Sequence, residues 1–348
     1  MLIILKSGAH EKDVERLIGN IKQSGYSYSR LNEKGVDMIE LEGVPAYFQL
    51  DFFKSFESVK TVVTSCEFSE KVYRSGRKKD TVINVNGRFI GGGNIELIAG
   101  PCSVESYEQT ERIAEKLSKM GVKLFRGGAY KPRTSPYSFQ GLNESGLKIL
   151  GRIAKKYNLA IVTELLDVRN IDAVCEFADI IQIGTRNASN YALLKEAGKL
   201  NKPVLLKRGV SSTVKEFLLS AEYIMCQGNL QIILCERGIR TFETAAYKTS
   251  LDLTAVSIIK QVSHLPIVVD PSHSAGAWNL VESLSLASIA AGADGIMVEV
   301  HDRPHEALSD AGQSLKPDKL KPLMQKVSKM AKCFNKTFMS DTRGIKKK

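Results

Sequence analysis

Long apolar runs are missing from this sequence. No segment approaches the roughly 20 apolar residues that a membrane-spanning helix needs. The apolar strip at residues 1–5 is too short for the core of a signal peptide, and no small-residue cleavage site follows it. These absences predict a cytoplasmic protein with no membrane partner.

Closely spaced cysteine pairs are also missing. The six cysteines are scattered along the chain, and none belongs to a Cys-x-x-Cys pair. They are Cys66, Cys102, Cys175, Cys226, Cys235 and Cys333. A disulfide framework or a structural zinc site is therefore not expected.

Nucleic-acid-binding motifs are absent despite a formal net charge of +11. Much of the basic excess lies at residues 74–79 and 346–348, in short runs of the kind that are usually solvated. Small anionic substrates explain the other basic residues better. The sequence thus predicts no nucleic-acid partner.

The length of the chain suits two domains. With 348 residues, 43% of them hydrophobic, it can form a barrel of typical size and one small module. Residues 1–73 predict a ferredoxin-like β-α-β-β-α-β unit. Its predicted strands cover residues 2–5, 26–31, 36–41 and 59–64, and its predicted helices cover residues 14–21 and 46–54. Residues 74–80 form a charged linker.

A strand-plus-helix pattern then recurs eight times, which favours an α/β fold with a closed (β/α)8 TIM barrel. The predicted strands cover residues 96–100, 123–126, 160–164, 179–183, 203–207, 231–235, 266–270 and 295–299. Asn86-Gly87 within residues 81–90 predicts a β-hairpin that plugs the barrel floor. The barrel domain is predicted to span residues 81–332, and residues 333–348 are predicted to form a flexible basic tail.

Charged or metal-binding side chains follow each predicted strand at its carboxyl end, where barrel enzymes carry their catalytic groups. One subset offers a thiolate, an imidazole and two carboxylates, and consists of Cys102, His273, Glu299 and Asp310. Mixed soft and hard ligands of this kind predict a divalent transition metal, Mn2+, Fe2+ or Zn2+, rather than Ca2+ or Mg2+.

A second subset is basic and consists of Arg126, Lys131, Arg133, Arg186, Lys207 and Arg237. Cations gathered on one concave face repel each other unless anions bind among them, and guanidinium and ammonium groups bind carboxylates and phosphates. The subset therefore predicts substrates that carry two phosphates and a carboxylate. Thr134 and Ser135 add hydroxyl donors, and Glu164 and Glu236 are carboxylates at the same predicted rim.

The motifs at these positions resemble those of 3-deoxy-D-arabino-heptulosonate-7-phosphate (DAHP) synthases, in the type I branch that carries an N-terminal ferredoxin-like regulatory domain. They are AGPCSVE (99–105), RGGAYKPRTS (126–135), QIGTRN (182–187), LKRG (206–209), CERG (235–238), VDPSH (269–273) and ALSD (307–310). The resemblance implies a metal-dependent transferase of the shikimate pathway, in aromatic amino acid biosynthesis. Its reaction condenses phosphoenolpyruvate with erythrose 4-phosphate and water to give DAHP and phosphate.

The resemblance also implies roles for individual residues. It assigns the metal to Cys102, His273, Glu299 and Asp310. It assigns phosphoenolpyruvate to Arg126, Lys131, Glu164, Arg186, Lys207 and Arg237, and erythrose 4-phosphate to Lys131, Pro132, Arg133, Thr134 and Ser135. Glu236 completes the candidate substrate-binding set, and Lys131, Glu164 and His273 are the candidate catalytic residues. The expected assembly is a homotetramer whose N-terminal domains bind Tyr or Phe as a feedback inhibitor.

Two alternatives stay open at this point. The 3-deoxy-D-manno-octulosonate-8-phosphate synthases use a related barrel, but they usually carry Ala-Asn-Arg where this chain has Pro132-Arg133. A non-catalytic amino-acid sensor would have lost a metal ligand or a phosphate-binding residue, and none is missing. Residues 247–252 read YKTSLD, where relatives more often carry Thr-Arg-Asn-Thr, and we expect this difference to affect packing only.

Overall fold

The computed structural model describes residues 1–33, 35–42, 50–63, 71–74, 79–243 and 245–340. The chain divides into two compact units, Met1–Gly76 and Arg77–Lys348. Within the described ranges, no helix is both long and apolar enough to cross a membrane.

The first unit has the predicted ferredoxin-like order. Its strands are β1 (Leu2–Leu5), β2 (Ser27–Glu33), β3 (Val36–Glu42) and β4 (Val59–Val63), and its helices are α1 (Glu11–Gln23) and α2 (Leu50–Lys54). The antiparallel sheet runs in the order β2-β3-β1-β4. Val14, Leu17 and Ile21 form one apolar stripe of α1 and are buried against Ile3 and Ile39 of the sheet. Residues 46–49 of the second predicted helix and Cys66 lie outside the described residues.

A two-stranded hairpin opens the second unit. Strands β5 (Ile83–Val85) and β6 (Arg88–Ile90) pair antiparallel, and Asn86 and Gly87 between them both have positive φ, as a tight primed turn requires. Ile83, Val85 and Ile90 belong to one buried cluster with barrel residues near the strand starts, such as Leu124 and Ile180. The hairpin therefore closes the amino-terminal end of the barrel.

Eight parallel strands form a closed barrel. They are β7 (Asn94–Gly100), β8 (Leu124–Arg126), β9 (Ala160–Glu164), β10 (Ile180–Ile183), β11 (Val204–Lys207), β12 (Ile232–Glu236), β13 (Ile267–Val269) and β14 (Gly295–Glu299). Each pairs with the next, and β14 pairs with β7 with Glu299 opposite Gly100, which closes the ring. Every residue of these strands except Asn94 is buried, as is typical of parallel sheets covered by helices. The predicted TIM barrel is confirmed.

The helices around the barrel are α3 (Tyr107–Lys119), α4 (Glu144–Tyr157), α5 (Ile171–Phe177), α6 (Tyr191–Gly198), α7 (Val214–Met225), α8 (Leu253–Val262), α9 (Pro271–Ala275), α10 (Trp278–Ala290) and α11 (Pro317–Cys333). Side chains cap several of them: Ser106 accepts from the Gln109 amide, and Thr213 and Glu216 form a capping box at α7. The short helix α9 directly follows β13. Asp270 is its N-cap, so the helix start fixes His273 one turn later.

The end of the described chain requires a correction. Residues 333–348 were predicted to be a flexible tail, but β15 (Thr337–Phe338) pairs in parallel with the start of β7. Phe338 is buried, and Ser340 Oγ lies 2.6 Å from Glu96 Oε1. Glu96 in turn accepts from Arg88 Nε of the hairpin at 2.7 Å. These contacts hold the segment at the barrel floor as far as residue 340, and residues 341–348 lie outside the described residues.

Candidate active site

A cavity of about 610 Å³ opens at the carboxyl ends of the barrel strands. The loops after the strands line it, as a TIM barrel predicts. Most of the predicted site residues meet there: Arg126, Lys131, Pro132, Arg133, Thr134, Ser135, Glu164, Arg186, Lys207, Arg237, His273 and Asp310. The structure thus brings the predicted basic subset together with two of the predicted metal ligands.

Cys102, His273, Glu299 and Asp310 form a compact cluster. One ligand atom from each lies within 4.8 Å of those of the other three. Cys102 Sγ donates to Asp310 Oδ2 at 3.1 Å, and His273 Nε2 lies 3.1 Å from Glu299 Oε1. Bonds to a divalent transition ion are about 2.0–2.3 Å long, so donors on opposite sides of one ion lie about 4.0–4.6 Å apart, close to the separations in this cluster. The spacing and the mixed S, N and O donors therefore fit one such ion.

Each acidic group of this metal cluster, the thiol included, also contacts a cationic side chain. Lys131 Nζ lies 3.0 Å from Cys102 Sγ, Arg126 forms an ion pair with Glu299, and Lys248 Nζ lies 3.6 Å from Asp310 Oδ1. Arg126 and Lys131 are almost fully buried and also line the cavity. They therefore connect the metal cluster with the cavity wall.

The pKa values of Cys102 and Glu299 are shifted in opposite directions by their surroundings. Burial, with Glu299 nearby, raises the pKa of the Cys102 thiol to about 12, although Lys131 opposes this. Burial also raises the carboxyl pKa of Glu299, but His273 and Arg126 outweigh it and hold that pKa at about 2. Without a metal ion the thiol keeps its proton and Glu299 is ionised.

A close approach of Lys131 to the cluster depends on Gly128. A Cβ atom at Gly128 would lie 2.7 Å from Lys131 Cδ and 2.8 Å from the Cys102 carbonyl oxygen. Both contacts are too short for a carbon atom. Glycine at this position therefore permits the contact between Lys131 and Cys102.

Asp270 is a functional residue that the sequence interpretation did not select. Its Oδ2 accepts from His273 Nδ1 at 2.7 Å and forms an ion pair with Lys207, and its Oδ1 accepts from the His273 amide at 3.0 Å. The Nδ1 hydrogen is thereby fixed toward Asp270, which leaves Nε2 for the metal cluster. Burial lowers the pKa of His273, which favours the neutral ring that a metal ligand needs. The sequence signal was an aspartate three residues before the histidine, at the start of a short helix.

Two glutamines hold site carboxylates. Gln313 Nε2 donates to Glu299 Oε2 at 2.7 Å, and Gln182 Nε2 donates to Glu164 Oε2 at 3.2 Å. Neither was predicted, because an isolated glutamine has no distinctive sequence signal.

Lys248 corrects the expectation for residues 247–252. It lines the cavity, and beyond its contact with Asp310 its Nζ donates to Gln313 Oε1 at 3.4 Å. The difference from the usual family pattern therefore falls beside the metal cluster and does not concern packing alone.

Glu236 is placed differently from the other candidate substrate-binding residues. It is fully buried, and it accepts from Arg208 Nη1 at 2.9 Å and from the Gly238 amide at 2.6 Å. The cavity wall includes its neighbour Arg237 and not Glu236. Glu236 therefore supports the loop that carries Arg237.

The comparisons with known proteins agree with this geometry. The DAHP synthetase I family model matches residues 78–336. The chain belongs to this family. It is 51% identical over 333 residues to the phospho-2-dehydro-3-deoxyheptonate aldolase of Thermotoga maritima. This alignment covers 95% of this chain and 98% of that protein. The 2-dehydro-3-deoxyphosphooctonate aldolase of Geobacter sulfurreducens is 31% identical over 265 residues, which are 70% of this chain and 96% of that protein.

Solved structures show the same relationship. The chain is similar to a crystal structure of the DAHP synthase of T. maritima with a TM-score of 0.77 and 48% identity, over 97% of this chain and 98% of that one. A truncated form of the T. maritima synthase matches with a TM-score of 0.72 and 52% identity, over 77% of this chain and 98% of that one.

Proposed function

We propose that the chain is a DAHP synthase that condenses phosphoenolpyruvate with erythrose 4-phosphate and water, releasing inorganic phosphate, in the first step of the shikimate pathway. The observation that carries the proposal is one cavity in which a Cys-His-Glu-Asp cluster adjoins a group of buried and rim cations. Family membership and the high identity to the T. maritima enzyme support it.

The cations bind the two anionic substrates. Arg126, Lys131, Lys207 and Arg237 are nearly buried, so their contacts with a carboxylate or phosphate are little screened by water. Together with Arg186 on the rim they hold phosphoenolpyruvate, while Lys131, Pro132, Arg133, Thr134 and Ser135 hold the aldose phosphate. Binding both anions in one cavity holds the two reacting carbon atoms close together, which lowers the entropic part of the activation barrier.

The four ligands fit a divalent transition metal, for which we propose Mn2+, Fe2+ or Zn2+. When bound, the ion supplies Lewis-acid polarisation of the aldehyde oxygen. The residues of the chain position the rest. C3 of phosphoenolpyruvate bonds to the aldehyde carbon, and the aldehyde oxygen takes up a proton to become a hydroxyl. Water adds at C2 and gives up a proton, and the bond between C2 and the phosphate oxygen then breaks, which releases inorganic phosphate and leaves C2 as a ketone. Lys131 and Glu164 face the cavity as an ammonium donor and a carboxylate acceptor for the proton of that water.

The acceptor decides between this function and that of the octulosonate relatives. The assay measures phosphate release from phosphoenolpyruvate with erythrose 4-phosphate or arabinose 5-phosphate, with and without a chelator. We expect release with erythrose 4-phosphate, its loss in excess chelator, and its recovery when Mn2+, Fe2+ or Zn2+ is added. Faster release with arabinose 5-phosphate would favour the octulosonate reaction, and full activity in excess chelator would refute the metal requirement.

We further propose that residues 1–73 regulate the enzyme by binding Tyr or Phe within a cytoplasmic homotetramer. The cavity and the metal cluster are built from residues 102–310, all within the second unit. This leaves the first unit free for a task other than catalysis. An effector bound there can inhibit only by favouring a state in which the barrel is less active.

A further inference from the structure

Glu105 joins two of the loops that carry metal ligands. Its Oε1 accepts from Ser103 Oγ at 3.1 Å and from the Leu308 amide at 2.9 Å. Ser103 is adjacent to Cys102, and Leu308 lies two residues before Asp310. One carboxylate oxygen therefore connects the chain beside Cys102 with the chain beside Asp310, although about two hundred residues separate them in sequence.

A second bond strengthens the same connection. Ser103 Oγ and Ser309 Oγ lie 2.6 Å apart and are both buried. Ser309 directly precedes Asp310. The two loops are thus tied at two successive positions, Leu308 and Ser309, just before the ligand. Asp310 itself has a left-handed backbone conformation with φ of 49°, which a residue other than glycine keeps only where the surrounding structure holds it.

His301 brings the strand of a third ligand to the same carboxylate. It lies two residues after Glu299, and its Nε2 is 3.6 Å from Glu105 Oε2. Its Nδ1 accepts from the Arg303 amide at 3.0 Å, so in the neutral ring Nε2 carries the hydrogen. Within the described part of the chain, this buried Nε2 has no hydrogen-bond partner. Glu105 is the carboxylate toward which it points.

We propose that Glu105 is a positioning residue for the metal cluster. Its carboxylate sets the separation of Cys102 and Asp310, and its contact with His301 orients the chain beyond Glu299. It lies outside the cavity wall, so it acts through these ligands and not on a substrate. The inference rests on the metal site of the proposed function. Outer partners of metal ligands typically change metal affinity about 10–100-fold when they are removed.

The test measures Mn2+ affinity of the metal-free full-length protein, without substrates, by competition with a fluorescent chelator. Glu105→Ala removes both acceptor oxygens, and we expect Mn2+ to bind about 10–100-fold more weakly. Glu105→Gln keeps an oxygen that can accept from Ser103 and Leu308 but replaces the oxygen that faces His301, so its affinity should lie between those of the wild type and Glu105→Ala. Glu105→Asp keeps the charge but shortens the reach, and we expect it to resemble the alanine variant.

Glu108→Ala is the matched control, because Glu108 is an exposed glutamate on the first turn of α3. It should bind Mn2+ as the wild type does. At saturating Mn2+ the Glu105 variants should have the wild-type KM for phosphoenolpyruvate. A general loss of structure would not allow this recovery. If Glu105→Ala fails to fold, the Asp and Gln pair carries the same comparison.

Two results would count against the proposal. Wild-type affinity in both Glu105→Ala and Glu105→Asp overturns the positioning role and leaves the proposed function intact. An equal loss of Mn2+ affinity in Glu105→Gln and Glu105→Asp also overturns the proposal. The length of the side chain, which only Gln keeps, would then not be what positions the ligands. A wild-type protein that binds no Mn2+, Fe2+ or Zn2+ would instead remove the metal site of the proposed function.

Discussion

Asp270 links the metal cluster to the substrate cations through a single side chain. Its Oδ2 oxygen contacts both His273 Nδ1 and Lys207 Nζ. The orientation of a metal ligand and the position of a phosphoenolpyruvate cation therefore depend on the same buried carboxylate.

Asp270→Asn should weaken both functions of this residue. The amide oxygen can still accept from His273, but the charge that holds Lys207 is lost. We expect metal affinity to fall about tenfold or more, together with a rise in KM for phosphoenolpyruvate. Chelator competition and steady-state kinetics measure the two effects. Asp172→Asn on the exposed side of α5 is the control and should change neither. A variant with normal metal affinity would contradict the role in orienting His273.

Arg133→Ala tests the acceptor end of the cavity. Loss of one charge-assisted contact to a phosphate costs about 2 kcal/mol, which raises KM roughly thirtyfold. We expect this rise for erythrose 4-phosphate, with KM for phosphoenolpyruvate changed by less than about threefold. Initial rates with each substrate varied in turn give the two constants. Equal increases for both substrates would show that Arg133 does not distinguish them.

The sequence predicted the side chains that project from strand ends and missed those that support them. Cys102, Glu299 and the basic residues stand out because reactive groups recur at one end of every strand. Asp270 was not selected, since its partner Lys207 comes from a strand 63 residues away. Lys248 lies in a loop without periodicity, so its position beside Asp310 depends on tertiary contacts that no local pattern predicts.

At the level of elements, the hairpin is the part of the barrel domain whose contribution to stability is simplest to test. Ile90→Ala would leave a cavity among Ile83, Leu124 and the other residues of the floor cluster. We expect it to lower the free energy of unfolding by about 2–5 kcal/mol. Chemical denaturation measures this change. Because the hairpin lies at the end of the barrel opposite the active-site cavity, kcat should stay close to that of the wild type.

Phe89→Ala is the matched control for the hairpin. Phe89 precedes Ile90 on the same strand but is 38% exposed, so its truncation should cost well under the Ile90 value. If both substitutions have the same small effect, the hairpin does not contribute to the core. If Ile90→Ala abolishes turnover while the protein stays folded, the floor and the active site are coupled.

Strand positions were easier to predict than short irregular elements. The strands Ala160–Glu164 and Gly295–Glu299 have the predicted bounds, because each is an apolar run ended by a charged residue. The helix α9 and the strand β15 were not predicted. The first has five residues and the second has two, so neither is long enough to show a period. Phe338 forms a strand only because the start of β7 offers it a partner.

On the scale of the whole molecule, the two units should be separable. A variant that starts at Asp80 retains the hairpin, the barrel and every proposed ligand. The second unit is compact by itself, which supports independent folding of the barrel. We expect the truncated variant to keep turnover and to lose inhibition by Tyr or Phe. Rates at increasing Tyr or Phe, compared with the full-length enzyme, measure this.

Two outcomes would oppose this division. A truncated barrel that folds and binds metal but does not turn over would show that residues 1–73 take part in catalysis. A full-length enzyme that is indifferent to Tyr and Phe would refute the proposed effectors. The control is the full-length enzyme, prepared and assayed in the same way. Both proteins are measured at the same ionic strength, because removal of the first unit also changes the net charge.

The separation of the barrel floor from the catalytic rim has an evolutionary consequence. The hairpin and β15 stabilise one end, while substrate contacts come from loops at the other. Substitutions in the loop at residues 132–135, outside the barrel core, can therefore be sampled without the loss of stability that core substitutions bring. A lineage can explore new acceptor sugars while the phosphoenolpyruvate cations and the scaffold are inherited unchanged. Relatives named as octulosonate aldolases at about 30% identity are the divergence that such an arrangement permits.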